Sequence, residues 1–301
     1  MSLMARKRDI LIAIIIIVSV VFTIGFFGLV FLGTYYADDG MGLGGFGDKV
    51  AVIEIFGGIY NSESIVRQLK KWGGSGSVKA ILLHIDSPGG AVAPSQEIYT
   101  EILRVRDEEG KIIVAAMSSV AASGGYLIAC AADRVMANPG TLTGSIGVIL
   151  QYPTAGELLD KIGIKYERVK SGELKDVGSI DRDMSEEERE MLSALVMDTY
   201  EQFVDVVVEG RELSRDEVYP LADGSIFSGR QARELGLVDT LGSFEEAVRM
   251  AADMAGLSGD PNIIKEYRPQ KGLWDLLGSF LGQSQDVVPF GNCGPRIMYL
   301  Y

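Results

Sequence analysis

Histidine is almost absent: His84 is the single one in 301 residues. A Ser-His-Asp relay would have to draw on a side chain inside the apolar run Ala80 to Ile85, two positions before Asp86, and a zinc site would be left to carboxylates alone. Cysteine is scarce too. Cys130 and Cys293 supply neither a disulfide framework nor a cysteine-rich metal site, so the fold must rest on its apolar core. Basic residues are outnumbered 28 to 41, for a formal net charge of −13. The first 34 residues hold three basic side chains and one acid, which leaves −15 on the remainder and disfavours nucleic acid as a partner.

Apolar residues, by contrast, make up 47% of the chain, and their distribution is uneven. Ile10 to Gly33 contains no charge and is dense in Ile, Val and Phe. As a helix it would be about 36 Å long, enough to cross a bilayer with some tilt. Arg6, Lys7 and Arg8 precede it, Asp38 and Asp39 follow, and no further basic residue appears before Lys49. The positive-inside rule therefore places the N-terminus in the cytoplasm and everything after residue 34 outside. The expected organisation is a cytoplasmic stub and transmembrane anchor over 1–34, a glycine-rich linker over 35–47, a folded domain over 48–255, and a C-terminal extension over 256–301 to which the sequence assigns no role. Within that extension, Leu273 to Leu277 with Phe280 and Leu281 could touch membrane, a neighbouring subunit or the domain itself.

The domain reads as strands alternating with helices. Strands are expected at Val50 to Phe56, Ala80 to Ile85, Lys111 to Met117 and Val135 to Ala137, and helices at Ser62 to Trp72 and Ser95 to Arg106. Ser118 to Tyr126 is read as a turn from buried strand to packed helix, with Tyr166 to Val169 extended and Lys170 to Ser179 a loop. Ser185 and Glu188 form a capping box for a long helix to about Gly210, with Leu192, Leu195, Val196, Tyr200, Phe203 and Val207 as its apolar stripe. Continuous apolar strands alternating with helices argue for a parallel α/β sheet, whose sites lie at the carboxyl ends of the strands. Two glycine-rich loops fall there, Asp86 to Gly90 and Ala121 to Gly125. Ser123, alone among small residues before a helix, stands where a nucleophile would, although the same residues would also let strand and helix pack closely. A serine needs a base. With histidine nearly excluded, a desolvated lysine can serve, and Lys175, among glycines and small residues, is the candidate from spacing; a solvated loop lysine is the alternative.

The runs Asp86-Ser87-Pro88-Gly89-Gly90, Ala122-Ser123-Gly124-Gly125-Tyr126, Thr143-Gly144-Ser145-Ile146-Gly147-Val148 and Ser171-Gly172-Glu173-Leu174-Lys175-Asp176-Val177-Gly178-Ser179, in this order behind an N-terminal anchor, closely resemble the short form of the signal peptide peptidase A family over roughly residues 48 to 255. The resemblance implies an α/β fold of stacked ββα units in the Clp-protease and crotonase superfamily, and a Ser-Lys dyad with Ser123 as nucleophile and Lys175 as general base. It also implies backbone oxyanion donors at Gly89 or Gly90 and at Gly124. Ser145, or failing that Thr143, is the expected residue to orient the lysine amine, a plain turn role being the alternative. Neither metal nor cofactor is implied. The expected partners are cleaved signal peptides or other hydrophobic peptides, the membrane, and further copies of the chain in a ring whose sites take serine and lysine from neighbouring protomers. A related membrane-anchored protease cutting a specific membrane protein, or a crotonase-like acyl-CoA enzyme, are the alternatives. One departure is visible: where family members often have Gly-Ser-Pro, this chain has Gly178-Ser179-Ile180.

Overall fold

The computed structural model describes residues 17–28, 48–266 and 296–299. The chain divides into two units, residues 1–46 and 47–301. In the first, helix α1 covers residues 17–28 and its side chains are exposed. Among the described residues no helix is long and apolar enough to cross a membrane. The rest of the expected span Ile10 to Gly33, the glycine-rich linker and the stretch Leu273 to Leu281 lie outside the described residues.

The second unit opens with β1 (Lys49–Phe56), α2 (Glu63–Gly73), β2 (Val78–Ser87), β3 (Gly90–Ala91), α3 (Val92–Asp107), β4 (Ile112–Ala122), α4 (Gly124–Ala129) and β5 (Arg134–Ala137). It continues with β6 (Leu142–Gly144), β7 (Ile149–Gln151), α5 (Gly156–Lys161), a 3₁₀ turn at Glu173–Asp176, and the long α6 (Glu186–Arg211). After α7 (Arg215–Val218) and a 3₁₀ turn at Tyr219–Leu221 come β8 (Ile226–Ser228), α8 (Gly229–Glu234), β9 (Thr240–Leu241), α9 (Phe244–Met254), β10 (Asn262–Lys265) and β11 (Arg296–Tyr299).

The main sheet runs β10-β1-β2-β4-β5-β9, all parallel, with β6 beside the far end of β4 and β8 antiparallel to β6. Alternation along each strand splits its side chains between two layers. Ile53, Ile55, Ile81, Leu83, Ile85, Ile113 and Ala115 join the larger core, which also takes residues of α2, α3, α4 and α6. Val50, Val52, Ala80, Leu82, Val114 and Ala116 pack on α9 through Ala247, Val248 and Ala251. Apolar residues on both faces are what a covered parallel sheet requires.

Two local expectations change. The strand before Ser123 does not stop at Met117: β4 runs on to Ala122, because Val120–Ala122 pair with β6 and Asp86 Oδ1 accepts the Val120 N–H at 3.0 Å. The turn is thereby reduced to Ser123 itself. Tyr166 to Val169 form no strand; all four are exposed and their backbone pairs with no described strand. They belong to a long arm in which no residue from Gly147 to Glu187 is buried. The capping box of α6 is present, with Ser185 and Glu188 satisfying each other's amides. Leu192, Phe203 and Val207 of its stripe are buried, but Leu195 remains 45% exposed, as Met191 and Met197 do nearby.

Candidate active site

Ser123 links β4 to α4 with φ 54° and ψ −119°, a conformation that costs a non-glycine residue of order 1–3 kcal/mol and persists only when its surroundings hold it. They do so from both sides. Its N–H donates to Gly144 O at 2.9 Å, on β6, and its carbonyl accepts Leu127 N at 2.9 Å, in α4. The residue is wholly buried, and Oγ has no hydrogen-bond partner among the described residues. A buried hydroxyl without a partner is costly unless a ligand or another chain supplies one.

The loop after β2 lies against this turn. Glycine is required there by space: a methyl on Gly90 would sit 2.2 Å from Ile59 O, and one on Gly124 would meet Ser95 Oγ at 2.6 Å and both Gly89 Cα and Gly90 N at 3.4 Å. The backbones of Gly89 and Gly90 therefore lie close enough to Gly124, beside Ser123, that a side chain there would touch them. Ser87, whose role the sequence did not single out within its Ser-Pro-Gly-Gly context, fixes the loop: its Oγ donates to Gly57 O at 2.6 Å and accepts Gly89 N at 3.1 Å. Gly89 N is thus engaged within the loop, while Gly124 N belongs to the first turn of a helix, where amides lack an intrahelical acceptor.

Ser145 follows Gly144 directly, is 4% exposed with φ 50°, and donates its N–H to Ser225 O at 2.7 Å. Thr143 Oγ1 donates to Ala121 O at 2.7 Å, which ties it to β4. Lys175 lies on the 3₁₀ turn of the arm, is exposed, and makes no side-chain hydrogen bond or ion pair among the described residues. Within one chain it does not bond Ser123 Oγ. His84 lies on the sheet face that packs on α9, between Phe56 and Phe244 with ring centroids 5.0 and 4.6 Å away. Burial, and secondarily Lys265, pushes its pKa down, so it stays neutral at pH 7 as a packed side chain.

The family model for peptidase family S49 matches residues 106–258, and that for Clp protease matches residues 52–143. A Synechocystis sp. protein carrying a protease name is 45% identical over 214 residues, covering 70% of this chain and 76% of that protein. Protease 4 of Haemophilus influenzae is 34% identical over 222 residues, 71% of this chain and 36% of its own length. The chloroplastic serine protease SPPA of Arabidopsis thaliana is 32% identical over 260 residues, 81% of this chain and 38% of its own.

Proposed function

The chain belongs to peptidase family S49, the signal peptide peptidase A family, and is a serine endopeptidase; from that premise we propose that it cleaves extended apolar peptides, among them spent signal peptides, with a Ser123–Lys175 dyad completed between neighbouring copies. The observation that carries the peptide reading is the seat of β11. It lies antiparallel between β3 and β7, with Tyr299 opposite Gly90, Met298 opposite Ala91 and Ile149, and Arg296 opposite Gln151. A peptide backbone is thus held by main-chain pairing at Gly90, against the turn that bears Ser123. Strand addition of this kind binds peptides through their main-chain amides.

In the proposed reaction Ser123 Oγ attacks the scissile carbonyl carbon while the neutral amine of Lys175 takes the hydroxyl proton. The oxyanion is met by the backbone N–H groups of Gly124 and Gly90, the Gly89 N–H being spent on Ser87 Oγ; one such donor is worth about 3 kcal/mol of barrier. Lysine then protonates the leaving amine, and a water deprotonated by the same lysine hydrolyses the acyl-enzyme. Ser145 orients the amine. Two features support a lysine from the next copy: the unpartnered, buried Ser123 Oγ, and an arm without any buried residue on which Leu158, Ile162, Ile164, Tyr166 and Val169, like Lys175, stand exposed. The anchor over residues 10–33 would hold such an assembly at the outer face of the membrane, with the N-terminus inside.

Hydrolysis of a synthetic signal peptide, parent against Ser123→Ala and Lys175→Ala, tests the dyad. Both variants should lose at least about 10³-fold in kcat with the fold intact. Activity within a few-fold of the parent in either would overturn it.

A further inference from the structure

The turn that carries Lys175 has a positional problem. Apolar packing cannot fix it, since nothing from Gly147 to Glu187 is buried. A line of charge-assisted hydrogen bonds crosses the arm instead. Asp176, next to Lys175, accepts from Lys170 Nζ at 2.7 Å and from Arg182 Nη2 and Nε at 3.0 and 3.2 Å, with Arg168 Nε at 3.5 Å. Arg182 presents its other edge to Glu188, with Nη1 donating to Oε2 at 2.9 Å and Nη2 to Oε1. Glu188 is 2% exposed and also accepts Ser185 N at 2.8 Å, as the third-position partner of Ser185 in the capping box of α6. That helix is rooted in the core further along by Phe203, Val204 and Val207.

The backbone of the turn is held as well. Lys170 Nζ donates to Glu173 O at 2.9 Å, and Ser179 Oγ donates to Asp176 O at 2.5 Å. Arg168 closes the network on Asp181 in a fork. Asp176, Asp181 and Glu188 are each taken by a cation other than Lys175, while Glu173 on the same turn is exposed. An opposite charge within about 4–6 Å would favour the ammonium form of a lysine, the wrong form for a base. Isolated surface ion pairs hold little, but a forked arginine bridging two largely covered carboxylates fixes direction as well as distance.

We propose that the Asp176–Arg182–Glu188 relay is the positioning device of the lysine: it ties the Lys175 turn to the first turn of α6 and keeps the Asp176 carboxylate occupied, so that Lys175 is aimed at its serine and not drawn onto its neighbour. This rests on Lys175 being the general base. Asp176, Arg182 and Glu188 touch no reacting atom and act through Lys175.

The test measures kcat and KM on a synthetic apolar peptide for the full chain carrying Asp176→Asn, Arg182→Gln, Arg182→Lys or Lys175→Ala, with thermal unfolding of each. Asp176→Asn and Arg182→Gln should lower kcat by about 30-fold while KM stays within about twofold, the pattern of a lost transition-state contribution. Arg182→Lys keeps the charge but not the fork and should recover part of that loss. A kcat within twofold of the parent in both Asp176→Asn and Arg182→Gln, with Lys175→Ala inactive, overturns the relay and leaves the dyad standing. Retained activity in Lys175→Ala overturns the dyad, and the relay with it. Losses that follow the unfolding midpoint, with no recovery in Arg182→Lys, reduce the network to a structural brace and likewise overturn it.

Discussion

Ser123 and Glu188 are both buried polar side chains, one left without a partner and the other fully engaged, and the contrast separates reactivity from structure. Ser123 occupies a strained backbone position with an idle Oγ. Glu188 accepts from Arg182 and from the Ser185 amide, which hold its carboxyl well below the ordinary 4.5, down to about 2. A depressed carboxyl pKa stabilises the folded state above the unfolded value and loses that contribution as pH falls through the folded one. Glu188 should therefore weaken the arm between pH 4.5 and about 2. Thermal unfolding followed over that range should show a steeper decline in the parent than in Glu188→Gln; equal slopes would mean that the charge on Glu188 is not what the network uses. The sequence marked Glu188 only as a capping residue, because a capping box is local, whereas Arg182 reaching both Glu188 and Asp176 depends on how the arm folds back.

Among the elements, α4 and α6 decide how the nucleophile is supported. Gly210 lies in α6 where a methyl would come within 2.3 Å of Cys130 O and 2.9 Å of Cys130 Cβ, at the end of α4. Replacing a helical glycine by alanine ordinarily gains about 1 kcal/mol. Here the approach is to backbone, which cannot swing away, and overpacking of that kind costs about 1–3 kcal/mol, so the clash should win. Gly210→Ala should lower the denaturant midpoint and loosen α4; a higher midpoint would mean that α6 does not rest on Cys130. The long helix, its cap and the four central strands were legible in the sequence because each is announced within its own span by period, cap or apolar run. The forked end of β4 was not. Ser118-Ser119-Val120-Ala121-Ala122 carries no strand signal of its own and is extended because β6 and Asp86, distant in sequence, take its amides.

At the scale of the whole molecule the two members of the proposed dyad do not meet within one chain: Ser123 is buried without a hydrogen-bond partner and Lys175 is exposed on an arm without a core. If neighbouring copies complete it, inactive Ser123→Ala and Lys175→Ala chains mixed under conditions of subunit exchange should recover about a quarter of parent activity, since one in two copies brings the serine and one in two neighbours the lysine. Exchange without recovery would place the dyad within a single chain. What the sequence by itself determined was the chemistry on offer: near absence of histidine, a serine and a lysine in glycine-rich contexts, and an α/β order of strands and helices, all local properties of residue type and spacing. What only the tertiary structure decided was proximity. It brought the Gly89–Gly90 loop against Gly124, seated β11 beside Gly90, engaged the carboxylate next to Lys175 with Arg182, and left Ser123 Oγ without a partner. Each of these joins positions far apart in the chain, and no local periodicity encodes a contact of that kind. The organising serine was visible from its neighbours in sequence; the partner it lacks became visible only once the chain had folded around it.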